Sequence, residues 1–220
     1  MRDAGHAPRR TVRVVAIRSI WTSSGPSAIL RPGIGDSSPT CWGSHKRGHM
    51  DKVRCGTCGG EHDLSEMEPS YTYPDAYLAL APEDRDARAL VGSDECRLHD
   101  GTHTDARYFL RVLLPIPVRG ETEACAWGVW AEVSEAAFAR TRELWNDPDQ
   151  VDEPPFHATL ANALNCYHAT LGLPGAVTLA GPEVIPTFVL AGELDHPLAR
   201  EQRDGVHPER VVEWLFAHLH

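Results

Sequence analysis

The chain has 220 residues, 42% of them hydrophobic and 24% charged, which excludes collagen-like, low-complexity and disulfide-dense classes. Its net charge of −10 is unevenly placed: residues 1–49 hold eight Lys/Arg against two acids, a net of +6, whereas residues 50–220 hold thirteen against twenty-nine, a net of −16. So acidic a domain repels a phosphate backbone, and nucleic acid is not an expected partner.

The basic head, residues 1–49, shows no sustained helical or strand period and is broken at Gly25-Pro26 and Pro32-Gly33. It reads as a disordered extension, or as upstream sequence translated from an early start, with Met50 opening the organised region. Arg13 and Arg18 interrupt the early apolar run Val14–Ile17, so no secretory signal is visible and a cytoplasmic location is expected. From residue 50 to 220 a single α+β domain is predicted. Residues 52–63 form short extended pieces around the turn Cys55-Gly-Thr-Cys58-Gly-Gly, and a loop with Tyr71, Tyr73 and Tyr77 follows. Pro82–Val91 reads as a short helix stopped by Gly92. Residues 107–114 read as a strand ended by Pro115-Ile-Pro117, and residues 124–133 as a central strand, apolar on both faces. Ser134 is placed to cap a helix over 134–145. The longest run without Asp, Glu, Lys or Arg, residues 154–182, carries two histidines, two asparagines and Pro174, so no membrane span is expected. Residues 177–190 predict two short strands, 198–203 a short helix ending at Gly205, and 208–219 a terminal helix with an apolar stripe. The predicted fold is a mainly antiparallel sheet with helices packed on it and a zinc-knuckle-like CxxC turn near its N-terminus.

Five cysteines lie in the acidic domain: Cys55, Cys58, Cys96, Cys125 and Cys166. An odd number without a signal peptide points to free or metal-bound thiols. Two thiolates two residues apart on a tight turn can share one Zn²⁺, and the glycines after the second let the backbone fold under it. Cys96 and His62 complete the expected ligand set, with His99 as the substitute for His62, and Cys125 is assigned to the core. A redox dithiol at Cys55 and Cys58 is the rival, although the Gly-Gly sequel disfavours the helix start that activates such thiols. Trp127 and Trp130, three apart in a strand, face opposite sides, so core packing is the stronger reading and Gly128 is free to admit a neighbouring backbone. Asp195 and His196, with Glu201 and Arg111, form a weak catalytic set without a nucleophile. Capping of the next helix by Asp195 is the stronger reading there.

Five ordered pieces resemble a bacterial family known as domain of unknown function 2199. They are Cys55-Gly-Thr-Cys58-Gly-Gly-Glu-His62, Ser93-Asp-Glu-Cys96, Tyr108-Phe-Leu-Arg111 with Ile116-Pro-Val118, Trp127-Gly-Val-Trp130, and His196-Pro-Leu-Ala-Arg-Glu-Gln-Arg203 with Gly205. The resemblance spans about 50–220 and implies no activity, but it marks Cys96 and His62 as motif positions beside the CxxC pair. The functional expectation is a zinc-stabilised binding or regulatory module whose partner is a protein or small ligand. A hydrolase using Asp195, His196 and Glu201 is the alternative, and a thiol-redox protein using Cys55 and Cys58 comes after it.

Overall fold

The computed structural model describes residues 12–15, 52–54, 61–63, 68–99, 106–121, 124–182 and 184–219. Four short strands come first: β1 (Val12–Val15), β2 (Lys52–Arg54), β3 (Glu61–Asp63) and β4 (Glu68–Tyr71). The helices α1 (Asp75–Leu78) and α2 (Pro82–Arg88) lead to β5 (Ala89–Val91), β6 (Glu95–His99), β7 (Ala106–Pro117) and β8 (Ala124–Val133). Then follow α3 (Glu135–Leu144), β9 (Phe156–Leu160), β10 (Pro174–Thr178), β11 (Thr187–Leu190), α4 (Pro197–Asp204) and α5 (Pro208–Leu219).

The two strands on which the predicted architecture rests do pair. β7 and β8 run antiparallel from Tyr108 opposite Val133 to Pro117 opposite Ala124. β7 continues through Pro115 and Pro117, which were expected to stop it. The N–H of Leu113 points away from β8, to Pro186 O at 2.8 Å. Residues 115 and 117 share that parity, so the amide hydrogens their prolines lack would also have faced away, and the β7–β8 ladder loses nothing. The carbonyls on that edge are taken by α4 and its sequel. Gln202 Nε2 donates to Pro115 O at 3.2 Å and Val206 N to Pro117 O at 2.9 Å.

The sheet closes on itself. β8 pairs with β9, β9 with β10 and β10 with β11, all antiparallel, and β11 returns to β7 in parallel. Five strands therefore close into a barrel, and an odd number of strands requires one parallel neighbour pair. The α+β class stands, and the expected antiparallel sheet is found closed into a barrel with extra strands. The closing element is β9, from a stretch where the sequence predicts no strand. The interior of the barrel carries Val112, Leu114, Ile116, Trp127, Val129 and Phe188, all fully buried. Each such side chain is worth roughly 1.5–3 kcal/mol. Gly175 is required there, because a Cβ would stand 2.6 Å from the Phe188 ring and 2.4 Å from Val189 O.

Helices close the two ends. Ser134 caps α3 as expected, accepting from Ala137 N at 3.2 Å, and Phe138 packs on Tyr108 with ring centroids 5.1 Å apart. At the other end, α5 sets Trp214 edge-on to Trp127 at 5.6 Å. Trp127 is opposite Leu114 and Val133 opposite Tyr108, six residues along β7, or about 20 Å. Trp127 and Trp130 are both buried, as the core reading requires.

The predicted helix over 82–91 ends at Arg88, and Ala89–Val91 pairs with β6 instead. Gly92 begins a hairpin, its N–H meeting Glu95 O at 2.8 Å. Outside the barrel, β4 runs parallel to β8 at Ser70 and Gly128, and β1 lies antiparallel to β4. The rest of residues 1–49 lies outside the described residues. β2 and β3 form a separate antiparallel pair with Arg54 opposite Glu61, flanking the CxxC turn, which lies outside the described residues. Among the described residues no helix is long and apolar enough to cross a membrane.

Candidate functional site

The motif His196–Arg203 lies on α4, which Pro197 starts and Gly205, at φ 73°, ends. The cap is His196 rather than Asp195. Leu198 N donates to His196 Nδ1 at 3.1 Å, and Nε2 lies 2.7 Å from His168 O. Both contacts are met by an imidazole with its proton on Nε2. Asp195 pairs with Arg200 in solvent, its side chain 95% exposed. Gln202 reaches under the helix to Leu190 N, Pro115 O and Phe188 O, tying α4 to β7 and β11.

Glu201 anchors the corner between α4, α5 and the β9–β10 connection. Its Oε2 accepts the Tyr167 hydroxyl and its Oε1 accepts Arg210 Nε at 3.1 Å. Arg210 also donates to Glu213 at 2.8 Å, and its guanidinium stands 5.5 Å over the Tyr167 ring and 5.9 Å over Trp214. Burial, then the hydrogen bond to Glu201, pushes the Tyr167 phenol well above its ordinary range, and burial also raises the neighbouring Cys166 thiol. Neither group is poised to ionise near neutrality.

Asn162 holds the connection in place from beneath. Wholly buried, it accepts from Trp130 N at 2.8 Å and donates to Tyr73 O at 2.9 Å. Tyr167, Arg210 and Asn162 were not singled out by sequence reasoning. Asn162 had a usable signal, since a polar side chain between apolar neighbours must find partners if buried.

Arg111 is not part of this corner. It sits in mid-β7 opposite Trp130, four residues or about 13 Å of strand from Pro115, where α4 attaches. Its Nη2 lies 3.5 Å from Ser70 Oγ. Two recesses of about 210 and 220 Å³ open elsewhere, one between Leu90, Tyr108 and Phe138, the other between Asp94, Trp145 and Pro186. Neither is lined by Asp195, His196, Glu201 or Arg111, and both fall below the roughly 300 Å³ usual for a ligand pocket.

Of the expected metal ligands, Cys55 and Cys58 lie outside the described residues, and His62 is the central residue of β3, opposite Val53. Cys96 is in β6 opposite Phe109, 0% exposed, and burial pushes its thiol up to about 12. Among the described residues no group of three or more His, Cys, Asp or Glu is placed to hold a metal.

These features define an α+β protein built on a closed five-stranded barrel, with its most motif-rich helix clamped to the barrel wall. The chain belongs to the family described as an uncharacterized protein conserved in bacteria (DUF2199), whose model matches residues 54–206. No curated protein and no solved structure matches it.

Proposed function

We propose that the protein is a binding or regulatory module rather than a hydrolase, with its N-terminal hairpin stapled by zinc. The observation that carries the choice between module and enzyme is the engagement of the candidate catalytic atoms by the fold. Both nitrogens of His196 and both oxygens of Glu201 have protein partners, and Asp195 is tied to Arg200 on the helix exterior. General acid–base work needs such an atom aimed at a substrate site.

The zinc reading is supported by the pairing of β2 with β3, which sets Arg54 opposite Glu61 on either side of the segment that carries Cys55 and Cys58. Cys55, Cys58 and His62 would hold the ion, and it would supply stability to a hairpin too small to bury a core. Cys96, the fourth expected ligand, sits inside the apolar core. Elemental analysis of untagged protein tests the reading. About one zinc per chain is expected, lost in a Cys55→Ser/Cys58→Ser variant, and a zinc-free preparation with an unchanged hairpin would overturn it.

A further inference from the structure

Arg111 stands in a run of apolar residues, Leu110 and Val112 on either side, in a strand paired along its length with β8. Its backbone N–H is paired with Asp94 O at 2.8 Å. Its side chain is treated differently from that of any arginine in the α4–α5 corner. The Nε is buried and meets no hydrogen-bond acceptor, and the hydrogen bond from Nη2 to Ser70 Oγ is long, at 3.5 Å. No ion pair holds the guanidinium among the described residues. A half-buried cation left in this state is costly unless an anion completes it.

The surroundings are arranged for such a completion. Ser70, itself only 2% exposed, is brought beside the guanidinium by the parallel contact of β4 with β8. That contact depends on Gly128, where a Cβ would stand 2.5 Å from Ser70 Oγ. A glycine in the middle of a central strand thus seats a hydroxyl next to an unpaired guanidinium. The planar fork of an arginine suits the two oxygens of a carboxylate or phosphate, and a hydroxyl can donate to a third contact.

We propose that Arg111 and Ser70 form a binding site for an oxyanion, a carboxylate or a phosphoryl group, on the outer face of the barrel where β4 pairs with β8. The site names a ligand class for the binding module and rests on that reading only for the kind of function. Zinc content is measured on the same samples, so loss of the hairpin staple and loss of anion binding are told apart.

Thermal unfolding of the full chain tests it in about 50 mM sodium phosphate, sodium acetate or sodium chloride at matched ionic strength. Wild type, Arg111→Gln and Ser70→Ala are compared, since general salt effects act on all three alike. A Tm rise of about 3–6 °C over chloride is expected in wild type, absent in Arg111→Gln and reduced in Ser70→Ala. A response to phosphate alone assigns a phosphoryl group, and a response to acetate assigns a carboxylate. No rise with either anion overturns the site, as does an equal rise in Arg111→Gln. If Arg111→Gln does not fold, an unreduced rise in Ser70→Ala overturns it by itself.

Discussion

Two arginines, both half-buried, occupy opposite situations in this protein. Arg210 is held by Glu201 and Glu213 and covered by two aromatic rings, whereas Arg111 reaches a single hydroxyl at 3.5 Å. The first belongs to a corner whose polar atoms are consumed by the fold. The second sits where β4 pairs with β8, and its buried Nε is left without an acceptor. A charged motif residue is therefore better judged by which of its donors and acceptors remain unused than by its residue type.

The sharpest way to break the corner is to remove its floor. Trp214→Ala withdraws a fully buried ring from Trp127, Tyr167 and Arg210 together. A loss of about 3–5 kcal/mol in urea unfolding is expected. A loss under about 1 kcal/mol would mean that α5 does not close that end of the barrel. The two arginines then separate in a smaller pair of changes. Glu201→Ala leaves Arg210 and the Tyr167 hydroxyl without their shared acceptor, at a cost of about 1–3 kcal/mol. Arg111→Met removes an unpaired cation and is expected to stay within about 0.5 kcal/mol of wild type or to gain stability. Equal losses from the two variants would erase the contrast.

The same contrast marks what the sequence made legible. Alternation and apolar runs located β7, β8 and β11, while β10, at Pro174–Thr178, begins before the expected span of 177–190; Ser134 and Gly205 located the ends of α3 and α4. Those are signals within single elements. Closure of the barrel was not legible because it depends on β9, whose inward face is only three residues long, Phe156, Ala158 and Leu160, too short an alternation to stand out beside the prolines that precede it. The persistence of β7 through Pro115 and Pro117 was hidden for a related reason: which edge a proline faces is a property of its neighbours. β6 shows only Cys96 and Leu98 as buried positions, too few for a period to stand out. His196, Glu201 and Arg111 were visible as polar motif residues, but whether their atoms are spent on α4, Tyr167 or Ser70 is decided by tertiary contacts.

Alkaline pH sharpens the comparison from the side of the thiols and phenols. Burial pushes the Cys96 thiol up to about 12 and raises Tyr167 and Cys166 as well. Groups raised in the folded state ionise first in the unfolded chain. Their contribution is complete below the ordinary thiol range near 8.5 and is lost as pH rises toward the folded values, with a slope for Cys96 of at most about 1.4 kcal/mol per pH unit. Urea midpoints measured from pH 7 to 11 are expected to fall above about pH 9. In a Cys96→Ala variant the fall should be shallower, and an unchanged slope would place the alkaline loss elsewhere. Native Cys96 should also resist a thiol reagent at pH 8 until the chain unfolds.

The smallest effects distinguish the two neighbours that begin the α4 motif. His196 supplies the cap of the helix and bridges it to the β9–β10 connection through His168 O. Its replacement by Ala is expected to cost about 1 kcal/mol, the usual worth of a cap. Asp195, one residue earlier, makes only a solvent-exposed pair with Arg200, and Asp195→Ala should stay within about 0.5 kcal/mol. High salt should leave the His196 effect in place, because the cap is a short-range hydrogen bond, and should remove what remains of the Asp195 effect. Were Asp195 the costlier substitution, the cap would have been assigned to the wrong residue. The motif would then be anchored by charge rather than by the imidazole.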